Sequence, residues 1–182
     1  MEGPEIETQR LCLKALNSDD ASALFAYRSD PAVSRYQGWV PGSVDEVAQF
    51  ISGQQSIAFD TPGTWYQFAI RLRDTDLLVG DLGVRFPEED LHQVEIGFTI
   101  DAQHQRQGYG LEAVKGVLDH LFGVLGKHRV FASVDPRNEA SIALLRRVGM
   151  KQEAHFRESL WFKGEWVDDI VFAMLESEWN GQ

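Results

Sequence analysis

The sequence predicts an α/β (α+β) fold: a mixed, mostly antiparallel sheet flanked by helices. Three observations predict it. Runs rich in β-branched and aromatic residues are interspersed with runs whose apolar residues recur at three- and four-residue spacing. Tyr66–Leu72, Leu77–Phe86 and Gln93–Ile100 follow one another across short polar connections, which suit antiparallel hairpins. A long amphipathic run then separates Gln93–Ile100 from Arg129–Val134, so the sheet acquires a crossover in its middle.

Each element has a local reason. Gln9–Leu16 is a strand with Leu11 and Leu13 on one face. Asn17-Ser18-Asp19-Asp20 supplies helix caps, and a helix runs to about Ser29, where Asp30-Pro31 stops it. Ser43 caps a second helix through about Phe59, with Val44, Val47, Phe50, Ile51 and Ile57 as its buried stripe. After the three strands, Gly108 to about Gly123 is helical, with Leu111, Val114, Leu118, Leu121 and Phe122 on one face. The strand Arg129–Val134 turns through Asp135-Pro136-Arg137-Asn138 into a helix carrying Ile142, Leu145 and Val148, closed by Gly149. Gln152–Phe162 and Trp166–Leu175 form a last hairpin about Lys163-Gly164-Glu165.

Composition narrows the function classes. A chain of 182 residues fits one domain, 1–182, large enough to fold without disulfides or metals. Its 17 basic and 28 acidic side chains give a net charge of −11. That balance argues against a nucleic-acid partner, since phosphates need a basic footprint. It is compatible with a cationic substrate, and equally with plain solubility. No apolar run reaches the ~18–20 residues of a membrane helix, and the acidic start, Met1 to Glu5, is unlike a signal peptide. The one cysteine, Cys12, fits a reducing, cytoplasmic setting. Histidines 92, 104, 120, 128 and 155 show no metal-ligand spacing, so no metal is expected.

The run Gln105-Arg106-Gln107-Gly108-Tyr109-Gly110 carries the chemistry. Its glycines let backbone N–H groups approach a ligand, and the start of the following helix favours an anion. Arg106 adds a formal charge. Gly108-x-Gly110-x-x-Ala113 also fits a dinucleotide fingerprint, with Asp135 after the next strand. Two features oppose an oxidoreductase: Asp101 to Gln107 intervene between strand and glycines, and the remaining chain offers one helix and an antiparallel pair.

Gln105-x-x-Gly108-x-Gly110 resembles the Q/R-x-x-G-x-G/A signature of the GNAT superfamily of N-acetyltransferases. Glu95-Ile96-Gly97-Phe98-Thr99-Ile100 resembles its fourth strand, and Asp135-Pro136-Arg137-Asn138-Glu139-Ala140-Ser141 resembles the D-P-x-N-x-x-S stretch of the RimJ/RimL-like ribosomal-protein branch. Thr8-Gln9-Arg10-Leu11 and Arg157–Asp168 resemble that branch's start and closing hairpin, so the match spans nearly the whole chain. The resemblance implies a GNAT-like domain whose central strands, 93–100 and 129–134, splay apart. It implies acetyl-CoA as co-substrate. The pyrophosphate would lie on Gln105, Arg106, Gln107, Gly108, Tyr109 and Gly110, and the pantetheine arm on backbone groups of Phe98 and Ile100 and on Asn138. Phe98 and Ile100 are also core strand positions, and Asn138 is also a natural N-cap.

The implied reaction is attack of a primary amine on the thioester. Glu95 is the candidate base on its strand, or else the partner of a nearby cation. Ser141 bonds the leaving sulfur, or else backbone in its own helix. Many family members place a tyrosine where this chain has Leu145. Tyr109 packs over the cofactor or faces solvent. The implied acceptor is a polypeptide N-terminus; a small cationic amine (polyamine or aminoglycoside) and a CoA-binding module without turnover are the alternatives. Glu158, Glu165, Asp168, Asp169 and Asp30 are expected near the acceptor mouth. Trp161 and Trp166 line that mouth, make an oligomer contact, or simply pack. The chain is expected to be a monomer or a homodimer.

Overall fold

The computed structural model describes residues 3–179. Met1 and Glu2 of the acidic start, and the last residues of the 1–182 span, lie outside them. The strands are β1 (Ile6–Glu7), β2 (Leu11–Ala15), β3 (Thr64–Leu72), β4 (Leu78–Phe86), β5 (Gln93–Ile100), β6 (Arg129–Val134), β7 (Lys151–Phe162) and β8 (Glu165–Leu175). The helices are α1 (Ala21–Arg28), α2 (Pro31–Ser34), α3 (Val44–Gln54), α4 (Tyr109–Gly123), α5 (Glu139–Val148) and α6 (Glu176–Trp179). All eight strands join one sheet in the order β1-β2-β3-β4-β5-β6-β8-β7. Every neighbouring pair is antiparallel except β5 and β6. No helix among the described residues is long and apolar enough to cross a membrane.

Side chains alternate across a strand, so each strand serves both faces. Leu82, Val84 and Phe86 of β4 and Ile96 of β5 are buried in one cluster with Val114, Val117, Leu118 and Leu121 of α4 and Ile142, Leu145 and Val148 of α5. The opposite face buries Ala69 and Leu78 beneath Leu24 and Tyr27 of α1 and Val47 and Ile51 of α3. On this second face, Asp81 of β4 is fully buried and accepts from Tyr27 Oη at 2.7 Å, from Arg28 Nε at 3.1 Å, and from Arg28 Nη2 and Gln67 Nε2. Four donors on one carboxylate offset the cost of burying its charge and pin α1 to the sheet.

The parallel pair is short. Gln93, Val94 and Glu95 face Arg129, Val130 and Phe131, and no pairing joins the strands beyond that point. The two strands therefore splay, as expected, with the fork at Glu95.

Several expectations need correction. The short elements β1, α2 and α6 carry too few residues for a periodic signal. α2 forms because Pro31 occupies its first turn and the Asp30 side chain accepts from Ala32 N at 2.9 Å, so the dipeptide that ends α1 also starts α2. α3 stops at Gln54 rather than near Phe59. Phe59 instead turns into an aromatic cluster, with its ring 4.9 Å from Tyr66 and 5.1 Å from Phe86. Val44, expected in the buried stripe, is exposed, and Val47 and Ile51 carry that stripe.

Candidate active site

A cleft of about 500 Å³ opens where β5 and β6 part. Its walls come from β5, the loop after it, the first turn of α4, α5 along its length, and the α2 segment. Nine of the eleven residues singled out from the sequence line it: Phe98, Ile100, Gln105, Arg106, Gly108, Tyr109, Gly110, Asn138 and Ser141.

Local sequence explains the loop. Asp101 caps a 3₁₀ turn over Ala102–His104 through Gln103 N at 3.2 Å. Gln105 Nε2 donates to Ile100 O at 3.0 Å, tying the loop to the end of β5. Arg106 (φ 61°) and Gly108 (φ 84°) both take the left-handed conformation, and Gly108 ends the loop as the N-cap of α4. The first turn of a helix leaves its N–H groups without intrahelical partners. No side chain caps α4, and its Tyr109, Gly110 and Leu111 line the cleft. Gly110 is needed for packing: a Cβ there would lie 2.8 Å from Leu144 Cδ1 and 3.5 Å from Ile100 Cγ1.

Charge in the cleft runs against charge in the chain. The lining holds Arg106, Arg137 and Arg147 against one carboxylate, Glu139. Arg137 is engaged by Asp135 at 2.6 Å and Glu165 at 2.8 Å. Among the described residues, Arg106 and Arg147 make no ion pair. Two unneutralised guanidinium groups beside an uncapped helix start are an arrangement that favours an anion.

Asn138 serves as a cap, its Oδ1 accepting from Ser141 N at 3.2 Å. Its amide N–H groups have no partner among the described residues. The Ser141 hydroxyl likewise bonds nothing there, so it is not tied up within its helix. Leu145 is packed in the core and cannot donate. Tyr109 is partly buried under the Arg10 guanidinium, which lies 4.6 Å from its ring centroid.

Two singled-out residues do not line the cleft. The Gln107 carbonyl is turned away, accepting from Arg10 Nη1 at 3.0 Å. Glu95 sits on the other face of β5 from Phe98, as strand alternation requires, and accepts from Arg85 Nη1 at 3.1 Å. It is nevertheless at the fork. Two residues on, a Cβ at Gly97 would meet nothing within 4 Å, so the sheet is open beside it. None of the carboxylates expected at a mouth lines the cleft. Asp169 accepts from Ser133 Oγ at 2.6 Å, Asp168 engages His155 at 2.6 Å, Glu165 holds Arg137, and Asp30 caps α2. Trp161 and Trp166 meet edge to face at 5.4 Å and are largely exposed.

Sequence reasoning missed the roof and a buttress. Tyr36 Oη donates to Arg137 O at 3.1 Å, and Lys163 Nζ to Ser34 O at 2.7 Å, which seats the α2 segment over the cleft. Behind the loop, Glu112 of α4 accepts from Thr8 Oγ1 at 2.6 Å, Arg10 N at 2.6 Å and Arg10 Nε at 2.7 Å. These contacts span about a hundred residues of chain, and no local pattern announces them.

Comparison with known proteins converges on one family. Residues 10–151 match the model of the acetyltransferase (GNAT) domain. The chain is 32% identical over 174 residues to the uncharacterized N-acetyltransferase YoaA of Bacillus subtilis, covering 95% of this chain and 97% of that one. It is 24% identical over 183 residues to the [ribosomal protein uS5]-alanine N-acetyltransferase of Escherichia coli, covering 96% and 92%. A GNAT-family acetyltransferase from Bacillus anthracis superposes with a TM-score of 0.86 at 25% identity, over 96% of this chain and 100% of that one. With the splayed strands, the glycine loop and the uncapped helix at one cleft, this chain belongs to the GNAT family and is an N-acetyltransferase.

Proposed function

We propose that the chain, as a single domain, transfers the acetyl group of acetyl-CoA to the N-terminal amine of a polypeptide. One observation carries the cofactor half of this reading. The uncapped N-terminus of α4 opens on an arginine-bearing cleft in a chain of net charge −11. Backbone N–H groups of Gly108, Tyr109 and Gly110 would hold the pyrophosphate, with Arg106 and Arg147 supplying charge. Phe98 and Ile100 would pair with the pantetheine arm as an added strand, in place of the ladder that stops at Glu95. The free amide of Asn138 would donate to the arm from the other wall.

The chain's own groups then divide the chemistry. Glu95, at the fork, takes the proton from the acceptor ammonium, directly or through one water. The freed amine nitrogen forms a bond to the thioester carbon, the carbon–sulfur bond breaks, and the second proton on that nitrogen passes to the departing thiolate, giving the amide and the CoA thiol. Ser141 donates to the departing sulfur, the role Leu145 cannot fill. Support for a polypeptide acceptor comes from the uS5-alanine acetyltransferase relative.

A thiol-release assay tests the whole reading. With acetyl-CoA, short peptides bearing free alanine or serine N-termini are acetylated faster than spermidine, an aminoglycoside or free amino acids. Faster turnover of a small amine would replace the polypeptide acceptor. CoA binding with no thiol release for any amine would leave a binding module.

A further inference from the structure

We infer that Arg10 is a positioning residue for the phosphate-binding loop, and that it acts by aiming one peptide group. This rests on the acetyl-CoA reading above.

Arg10 lies 97 residues before the carbonyl it holds. Its Nη1 donates to Gln107 O at 3.0 Å. In a trans peptide the carbonyl and the following N–H point in opposite directions, and no peptide bond among the described residues is cis. Drawing the Gln107 carbonyl back toward Arg10 therefore aims the Gly108 N–H forward. Residue by residue, the cleft agrees: Gly108 lines it and Gln107 does not. The Gln107 side chain is also held back, donating to Gln103 O at 3.3 Å.

The link needs such a clamp. Gly108, at φ 84°, has the torsional freedom that lets a neighbouring peptide flip. A flipped peptide would turn the partial negative charge of a carbonyl toward the phosphates and remove a donor. Arg10 is itself held rigid. Glu112 takes its Nε at 2.7 Å and its backbone N–H at 2.6 Å, and Tyr109 lies under its guanidinium. On its other side, Arg73 N donates to Arg10 O at 2.9 Å. Arg10 Nη2 lies 3.3 Å from the position a Gly108 Cβ would occupy, so the guanidinium backs directly onto the loop.

A purely structural tie between the N-terminal segment and α4 predicts something different, namely lower stability without ligand selectivity. Titration calorimetry of wild type, Arg10→Met and Arg10→Lys with two probes separates these. CoA carries the phosphates; S-acetylpantetheine has none. Arg10→Met should weaken CoA roughly tenfold, the scale of one charge-assisted hydrogen bond, and S-acetylpantetheine less than about twofold. Arg10→Lys keeps a cation but cannot reach Glu112 and Gln107 O together, and should lose about threefold for CoA. It also serves as the test if Arg10→Met does not fold. Equal losses for both probes, or an unchanged Kd for CoA, would overturn the inference. Failure of wild type to bind CoA would overturn the underlying reading, and this inference with it.

Discussion

Gly110→Val tests the loop at its most constrained point. The Cβ of any residue there would sit 2.8 Å from Leu144 Cδ1. Carbon atoms prefer about 3.5–4.0 Å, so the overlap is close to 1 Å. Alanine could be accommodated by a small swing of the Leu144 methyl. Valine adds two methyls beyond the Cβ, with Ile100 Cγ1 already at 3.5 Å. The first turn of α4 must then lift away from β5 and α5. Overpacking of this kind costs about 1–3 kcal/mol. For a chain of this length that is a fall in Tm of about 2–12 °C. Lifting the turn also moves the N–H groups of residues 108–110. Losing one hydrogen bond to a charged group costs about 1.5–3 kcal/mol, so the Kd for CoA should rise tenfold or more. Thermal unfolding and titration calorimetry with CoA measure the two effects on one sample. A lowered Tm with an unchanged Kd would mean that the phosphates do not sit on the α4 start, and the cleft would have to be reassigned.

Three further outcomes follow from named groups. Glu95→Gln should lower kcat/KM by about 10²–10⁴, with partial recovery as pH rises and free amine accumulates; a wild-type pH–rate profile would remove Glu95 from the mechanism. Burial of Glu112 opposes its ionisation, but hydrogen bonds from Thr8, the Arg10 N–H and the Arg10 side chain outweigh it and hold the carboxyl below its ordinary 4.5. A depressed carboxyl stabilises the fold above its unfolded pKa and loses that contribution as pH falls through the folded one. Glu112→Gln should therefore flatten the loss of stability below about pH 4.5 relative to wild type, and identical acid unfolding curves would contradict this. Arg28→Met leaves Asp81 buried without its cation and should cost about 3–5 kcal/mol, whereas pairing it with Asp81→Leu should restore part of the loss in urea unfolding.

Legibility tracked the range of the interactions. Strands β5 and β6 and the Gly149 stop of α5 were readable to the residue because alternation and a left-handed cap act within a few positions. The place of the glycine loop at the start of α4 was readable because its residues are consecutive. The α3 terminus was not, since Phe59 follows the core aromatics Tyr66 and Phe86 rather than its helical register. Glu95 shows the limit at the site itself. Its strand and its place at the fork follow from sequence, but the Arg85 pairing follows from β4 facing β5 in register. Tyr36 was silent, and Arg10 was legible only as part of Thr8-Gln9-Arg10-Leu11 and not in its contacts, because each acts on a carbonyl about a hundred residues away.

Net charge illustrates how a whole-chain quantity misleads about a site. A balance of −11 points toward cationic ligands, yet the cleft bears three arginines and one glutamate. Four of the five carboxylates expected to draw an amine inward are consumed locally, capping α2, holding Arg137, engaging His155 and accepting from Ser133. Charges more than about 8 Å apart across solvent are largely screened at physiological salt. Acidic residues elsewhere on the surface therefore do not cancel the field of Arg106 and Arg147 at the α4 start. An anionic co-substrate meets weak repulsion at long range and a built cationic site at short range. On the proposed reading, that arrangement would disfavour nonspecific binding of polyanions while leaving one place for a pyrophosphate.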